Sequence, residues 1–137
     1  MIEYNGHITV DEYNTLREAV GWGTCGTDKV RMAIERTDFL IVARIDGLAI
    51  GMARVIHDGL QALIMDVAVL PEHQGRGIGK YMMTRVMEFI DGLSKGGGIY
   101  VNLMSAKGKE GFYGRFGFDF RPDDTRGAGM TQFITRL

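Results

Sequence analysis

The stretch with the most chemical content runs Leu63-Ile-Met-Asp-Val-Ala-Val-Leu-Pro-Glu-His-Gln-Gly-Arg-Gly-Ile-Gly-Lys80. An apolar run passes through a glycine-rich turn into a helical pattern. Such a turn exposes backbone N–H groups, and the helix start behind it adds partial positive charge, so the segment suits a phosphate. Glycine at 75, 77 and 79 lets phosphate oxygens come close to the main chain, and Arg76 and Lys80 stand beside it with mobile positive charge. Three phosphate-binding patterns compete. A nucleotide P-loop needs glycine five residues before the Gly-Lys pair and Ser or Thr after it. Gln74 and Tyr81 hold those places, which excludes it. A dinucleotide fingerprint needs a third glycine three residues after the second, where this chain has Lys80. The pattern that fits is Gln74, two residues, Gly77, one residue, Gly79, following an apolar strand.

Other residues carry chemistry without a motif as specific. Asp66 is a carboxylate inside an apolar run. Burying it unpaired costs several kcal/mol, so it needs a partner or a task. Strand alternation sets Met65 and Val67 on one face and Asp66 on the other. Phe112-Tyr113-Gly-Arg-Phe-Gly117-Phe118 is an aromatic cluster whose phenol can pack or donate a proton. Trp22, between Gly21 and Gly23, either covers the edge of the core or meets a ligand. Cys25 has no histidine at a recognisable spacing and reads as a plain small residue. His7, His57 and His73 fall at turns and read as exposed polar groups.

These residues need elements to position them. Ile2 to Tyr4 reads as a short strand, and Asp11 to Val20 as a helix capped by Thr9 or Asp11, with Leu16, Ala19 and Val20 inward. Thr27 is the expected cap of a second helix over Asp28 to Arg36. Phe39–Ile45, Leu48–Ile56 and Leu60–Leu70 are strand-like runs separated by Asp46-Gly47 and Asp58-Gly59, strong hairpin signals. A three-stranded antiparallel meander follows. Ile78, Met82, Val86, Phe89 and Leu93 recur at helical spacing, so a helix spans Gly77 to Leu93, with its methionines as core filling. Ile99 to Met104 returns as a strand, and strand–helix–strand is a crossover that makes the last two strands parallel. A short helix over Lys109 to Arg115 and a terminal hairpin from Phe118 to Thr135 complete an α+β chain with a mixed sheet.

Composition narrows the function classes. The 137 residues suit one domain, taken as 1–137. Sixteen basic against seventeen acidic residues give a net charge of −1, so no strong field points to nucleic acid or to a membrane surface. One cysteine excludes an intrachain disulfide and a multi-thiolate metal site, and no metal is expected. The first twenty residues lack the apolar run of a secretory signal, and no stretch is long enough for a membrane helix. A cytoplasmic protein is the expectation. The twenty glycines are about twice the usual share, in keeping with many turns or with backbone that meets a ligand.

The Gln74–Gly79 pattern and the Phe112–Phe118 cluster, in this order within this succession of elements, resemble the GCN5-related N-acetyltransferase superfamily over nearly the whole chain. The resemblance implies a sheet whose motif strand splays from the following parallel strand to leave a cofactor cleft. It assigns Gln74, Gly75, Arg76, Gly77, Ile78, Gly79 and Lys80 to the pyrophosphate of coenzyme A. Main-chain groups of Val67 and Val69 would meet the pantetheine arm, and the Val67 N–H would polarise the thioester carbonyl. Tyr113 would protonate the departing thiolate, and Trp22 lies in a loop that overhangs the acceptor in this family. Acidic residues near Asp66 in polyamine-acetylating relatives make Asp66 a candidate for substrate binding or proton relay. Several relatives carry glutamate or histidine slightly earlier, where this chain has Leu63, Ile64 and Met65; a water chain or a carboxylate is expected to remove the amine proton. The implied activity is direct transfer of acetyl from acetyl-CoA to a primary amine of a small molecule. A non-catalytic acyl-CoA sensor and a protein or peptide acceptor are the alternatives, and a homodimer is the assembly the family suggests.

Overall fold

Asp46 and Gly47 both take positive φ, 49° and 80°, the backbone combination that a two-residue hairpin demands. They join β2 (Phe39–Ile45) to β3 (Leu48–His57). The next turn works differently. The Asp58 carboxylate accepts the N–H groups of Leu60 and Gln61, each at 2.9 Å, and so folds β3 back onto β4 (Gln61–Val69). β1 (Ile2–Asn5) pairs antiparallel with β2, and β5 (Tyr100–Leu103) pairs parallel with β4. The sheet order is β1-β2-β3-β4-β5, the antiparallel-then-parallel arrangement expected.

The computed structural model describes residues 1–136. It divides into two compact units, Met1–Leu103 and a second that starts at Met104. The first holds the whole sheet with α1 (Val10–Ala19), α2 (Thr27–Glu35) and α3 (Ile78–Leu93). Ile78, Met82 and Val86 of the expected α3 stripe are buried, with Met83 and Ile90 beside them, while Phe89 and Leu93 are half-buried. Gly51 of β3 faces α3 with no room for a side chain. A Cβ there would lie 3.1 Å from the Ala68 carbonyl oxygen and 3.2 Å from the Met82 methyl.

Two helix starts differ from expectation in detail. Thr9 caps α1, but the inward residues are Tyr13 and Leu16, while Ala19 is exposed at the helix end. Gly26, not Thr27, is the N-cap of α2; Thr27 is the first helical residue and makes no capping bond.

Two irregularities of β4 shape the site. Its parallel ladder with β5 covers only Gln61–Ile64, so Met65–Val69 have no partner on β5. On the other side Met52 pairs with Ala68 and Arg54 with Met65, leaving Asp66 and Val67 as a bulge. Strict alternation of Met65, Asp66 and Val67 therefore fails. Asp66 takes φ 55°, which regular strand geometry does not contain.

In the second unit α4 spans Glu110–Gly114, one residue shorter at each end than expected. The terminal hairpin over Phe118–Thr135 is absent: no strand occurs among the described residues of that span. Local polar bonds take the place of a ladder. Asp123 accepts the N–H groups of Thr125 and Arg126 at 3.0 and 2.8 Å and also binds the Arg126 guanidinium. Pro122 offers no N–H, and Met130, Phe133 and Ile134 are exposed, so no apolar face holds strands together.

Candidate active site

β4 ends at Val69, and a single 3₁₀ turn, Pro71–His73, carries the chain to the glycine loop. Gln74 is extended, and its amide donates to the Val69 carbonyl at 3.0 Å, tying the loop to the end of β4. Gly75 and Gly77 take φ of 78° and 81°, and a Cβ on either would meet nothing within 4 Å. Glycine is needed there for the left-handed backbone, and the space in front of it is open. Gly77 is the N-cap of α3 and offers no side-chain cap, and the first turn holds no acid. The N–H groups that start α3 thus face open space, between exposed Arg76 and Lys80. Arg76 Nη1 lies 2.9 Å from His73 Nδ1, so His73 is part of the loop's wall rather than a free surface group. The sequence-predicted phosphate residues, Gln74 to Lys80, are brought together as one uncapped helix start.

The strand side of the site is the bulge. Val67 and Val69 are half-buried on the segment of β4 that β5 leaves unpaired, so this edge can accept an extended ligand arm. Asp66 points into a cluster of its own. Its Oδ2 accepts from Tyr13 Oη and Arg54 Nε, both at 2.6 Å, and Oδ1 lies 3.4 Å from Arg17 Nη1. Burial, then the bond to Asp66, raises the Tyr13 hydroxyl pKa, so it remains a donor. Tyr13, Arg17 and Arg54 were not anticipated as site residues. A signal existed: Arg54 is the one charged residue in Leu48–Ile56, as Asp66 is in Leu63–Leu70, and the two strands pair.

Arg17 also anchors the loop between α1 and α2. Its Nε donates to the Gly23 carbonyl at 3.0 Å and its Nη2 to the Trp22 carbonyl at 3.1 Å, while its guanidinium carbon lies 5.8 Å from the Trp22 ring centre. Trp22 is 36% exposed. Cys25 is exposed, and its main chain is held by Asn14 through two bonds of 2.9 Å. In the second unit Tyr113 is buried on α4, edge-on to Phe112 and Phe118 with centroids at 5.1 and 6.4 Å. Burial raises its pKa, which keeps the phenol protonated at neutral pH.

A five-stranded mixed sheet with an open parallel edge, followed by an uncapped glycine-rich helix start, defines the class. The family model of the acetyltransferase (GNAT) domain matches residues 36–119, and the chain belongs to that family. Among individual proteins, it is similar to GCN5-related N-acetyltransferase 1, chloroplastic, of Arabidopsis thaliana. The two are 32% identical over 123 residues, covering 88% of this chain and 61% of the plant protein. It is 28% identical over 125 residues to serotonin N-acetyltransferase 2, chloroplastic, of Oryza sativa subsp. japonica, again covering 88% of this chain and 61% of the other. A crystal structure of a probable acetyltransferase of unknown function from meticillin-resistant Staphylococcus aureus superposes with a TM-score of 0.89. That pair is 27% identical, with 98% of this chain and all of the other covered. Among the described residues no helix is long and apolar enough to cross a membrane.

Proposed function

We propose that the chain, as one domain over 1–137, transfers acetyl from acetyl-CoA to a primary amine of a small molecule. The observation that carries this is the uncapped start of α3, with its glycine loop tied to the open edge of β4. The residues present suit the donor: Gln74–Lys80 for the pyrophosphate, and the main chain of Val67 and Val69 for the pantetheine arm. Acetyl-CoA supplies an activated thioester. The Val67 N–H polarises its carbonyl, a water chain removes the amine proton, and Tyr113 protonates the sulfur. No metal takes part in this scheme. The rice relative's name points to a small amine acceptor, and the partly exposed Trp22 is the proposed contact for it. The cytoplasm is the proposed compartment and a homodimer the proposed assembly.

The test has two stages. Acetyl-CoA should raise Tm, and pantetheine lacking the phosphates should raise it far less at equal concentration. Equal shifts would remove the reason for assigning the Gln74–Gly79 loop. Thiol release over a panel of arylalkylamines, polyamines, aminosugars and peptide N-termini then separates the readings. Turnover with a small amine supports the enzyme, a preference for peptides moves the acceptor class, and binding without turnover makes the chain a sensor. Tyr113→Phe keeps the ring, so Tm should hold while kcat falls at least about tenfold, within the range of general acids. Wild-type kcat in that variant, measured where chemistry limits turnover, would leave Tyr113 as a packing aromatic.

A further inference from the structure

We infer that Asp66 is a positioning residue: its carboxylate, gripped by Arg54, Tyr13 and Arg17, locks the β4 bulge that frees the main chain of Val67. The inference rests on the acetyltransferase reading for its kinetic consequence, but its structural content stands apart from it. The bulge residue sits at φ 55°. A non-glycine residue there is strained and persists only where its surroundings hold it, and Asp is among the types that tolerate it best. The hold comes from two elements outside β4. Tyr13 and Arg17 reach from α1 and Arg54 from β3. The carboxylate is 12% exposed and Arg54 13%, so these are charge-assisted bonds in a largely dry place.

The geometry also argues against Asp66 as the proton acceptor. Oδ2 already receives two donors at 2.6 Å, and Oδ1 faces a guanidinium. A proton taken there would sit on a carboxylate that two guanidinium groups hold in its charged form. What the grip accomplishes lies one residue further along. With Asp66 in the left-handed region, Met65 pairs with Arg54 and Ala68 with Met52, and Val67 has no paired residue on β3 or on β5. Arg17 carries the same hold to the carbonyls of Trp22 and Gly23, so the bulge and the Trp22 loop share one anchor.

Three substitutions separate backbone positioning from proton transfer. Asp66→Ala loses the grip and the tolerance for positive φ. Asp66→Gly loses the grip but adopts the backbone freely. Asp66→Asn keeps the tolerance and an oxygen for Tyr13 and Arg54, but cannot act as a base. Positioning predicts kcat losses of about thirtyfold or more for Ala, about tenfold for Gly and under about fivefold for Asn. The pH midpoint of the rate should be unchanged in Asn. An Asn variant as slow as Ala, with the rising limb of the pH profile gone, would make Asp66 the base and overturn the inference. So would a Gly variant as slow as Ala. The amide resonance of Val67 gives a readout independent of turnover: it should stay near its wild-type position in Asn and move in Ala. An unmoved Val67 resonance in folded Asp66→Ala would show that Asp66 does not hold the bulge. A wild-type protein that turns over no amine would sink the acetyltransferase reading and leave this resonance test intact.

Discussion

Two helix starts in the same unit solve the same electrostatic problem in opposite ways. At α1, Thr9 Oγ accepts the Glu12 N–H at 3.1 Å and Glu12 Oε1 accepts the Thr9 N–H at 3.0 Å, a closed capping box with Asp11 and Glu12 as first-turn acids. At α3 the cap is Gly77, with no side-chain bond and no first-turn acid, and Arg76 and Lys80 add positive charge. α1 satisfies two of its first donors, the Thr9 and Glu12 N–H groups, from its own side chains. The sixteen-residue α3, with more backbone dipole behind it, has no side-chain cap and no first-turn acid of its own. A helix start that sequence has closed is structure, and one left open beside glycine and cations is where the proposed donor's phosphates would sit.

The strongest way to break this contrast is Gly77→Glu. The substitution forces a side chain onto φ 81° and sets a carboxylate where the proposed phosphates would sit. Acetyl-CoA affinity, measured by titration calorimetry, should fall at least about 100-fold, near 3 kcal/mol. The circular dichroism spectrum should remain that of a folded protein. Affinity within a few-fold of wild type would mean that α3 does not hold the phosphates. Lys80→Glu is the milder version, because it gives α3 the first-turn acid that α1 has. Acetyl-CoA should bind roughly tenfold more weakly, with the deficit shrinking as salt is raised. A salt-independent deficit would point to packing rather than charge.

Most of the scaffold was legible because it depends on local chemistry. Asp46-Gly47 and the Asp58 side chain make their turns from nearby atoms, and the apolar period of Ile78 to Ile90 marks its buried face whatever lies opposite. The shape of the Gln74–Gly79 loop was legible for the same reason, since glycine spacing fixes both the backbone and the space in front of it. The Asp66 cluster was half legible. A lone carboxylate in an apolar strand announced that it had a partner or a task, but the partners lie 12 to 53 positions away and depend on a bulge that periodicity conceals. The terminal hairpin misled because a run of suitable residues from Phe118 onward does not show whether Asp123 will bind its neighbours first.

The smallest effect tests the other half of the contrast, that α1's start is structural alone. Glu12 accepts from Arg44 Nη2 at 3.0 Å as well as from Thr9. The Arg44 hydrogen bond, against an opposing cost of burial and with help from Thr9, lowers its pKa from 4.5 to about 2. A carboxylate whose folded pKa lies below its unfolded one contributes stability that is full above the unfolded value and is lost as pH falls through the folded value. The contribution should therefore be present at neutral pH, fade below about pH 4.5, and be nearly gone at about pH 2. Glu12→Gln, followed by thermal melts, should lose roughly 1–2 kcal/mol at pH 7, after allowance for partial exposure. That is a drop of several degrees in Tm, and the gap from wild type should narrow steadily towards acid. Acetyl-CoA affinity at pH 7 should match wild type, because Glu12 belongs to a cap that is already closed. A Glu12→Gln variant that bound acetyl-CoA as weakly as Lys80→Glu would show that the two helix starts are not independent.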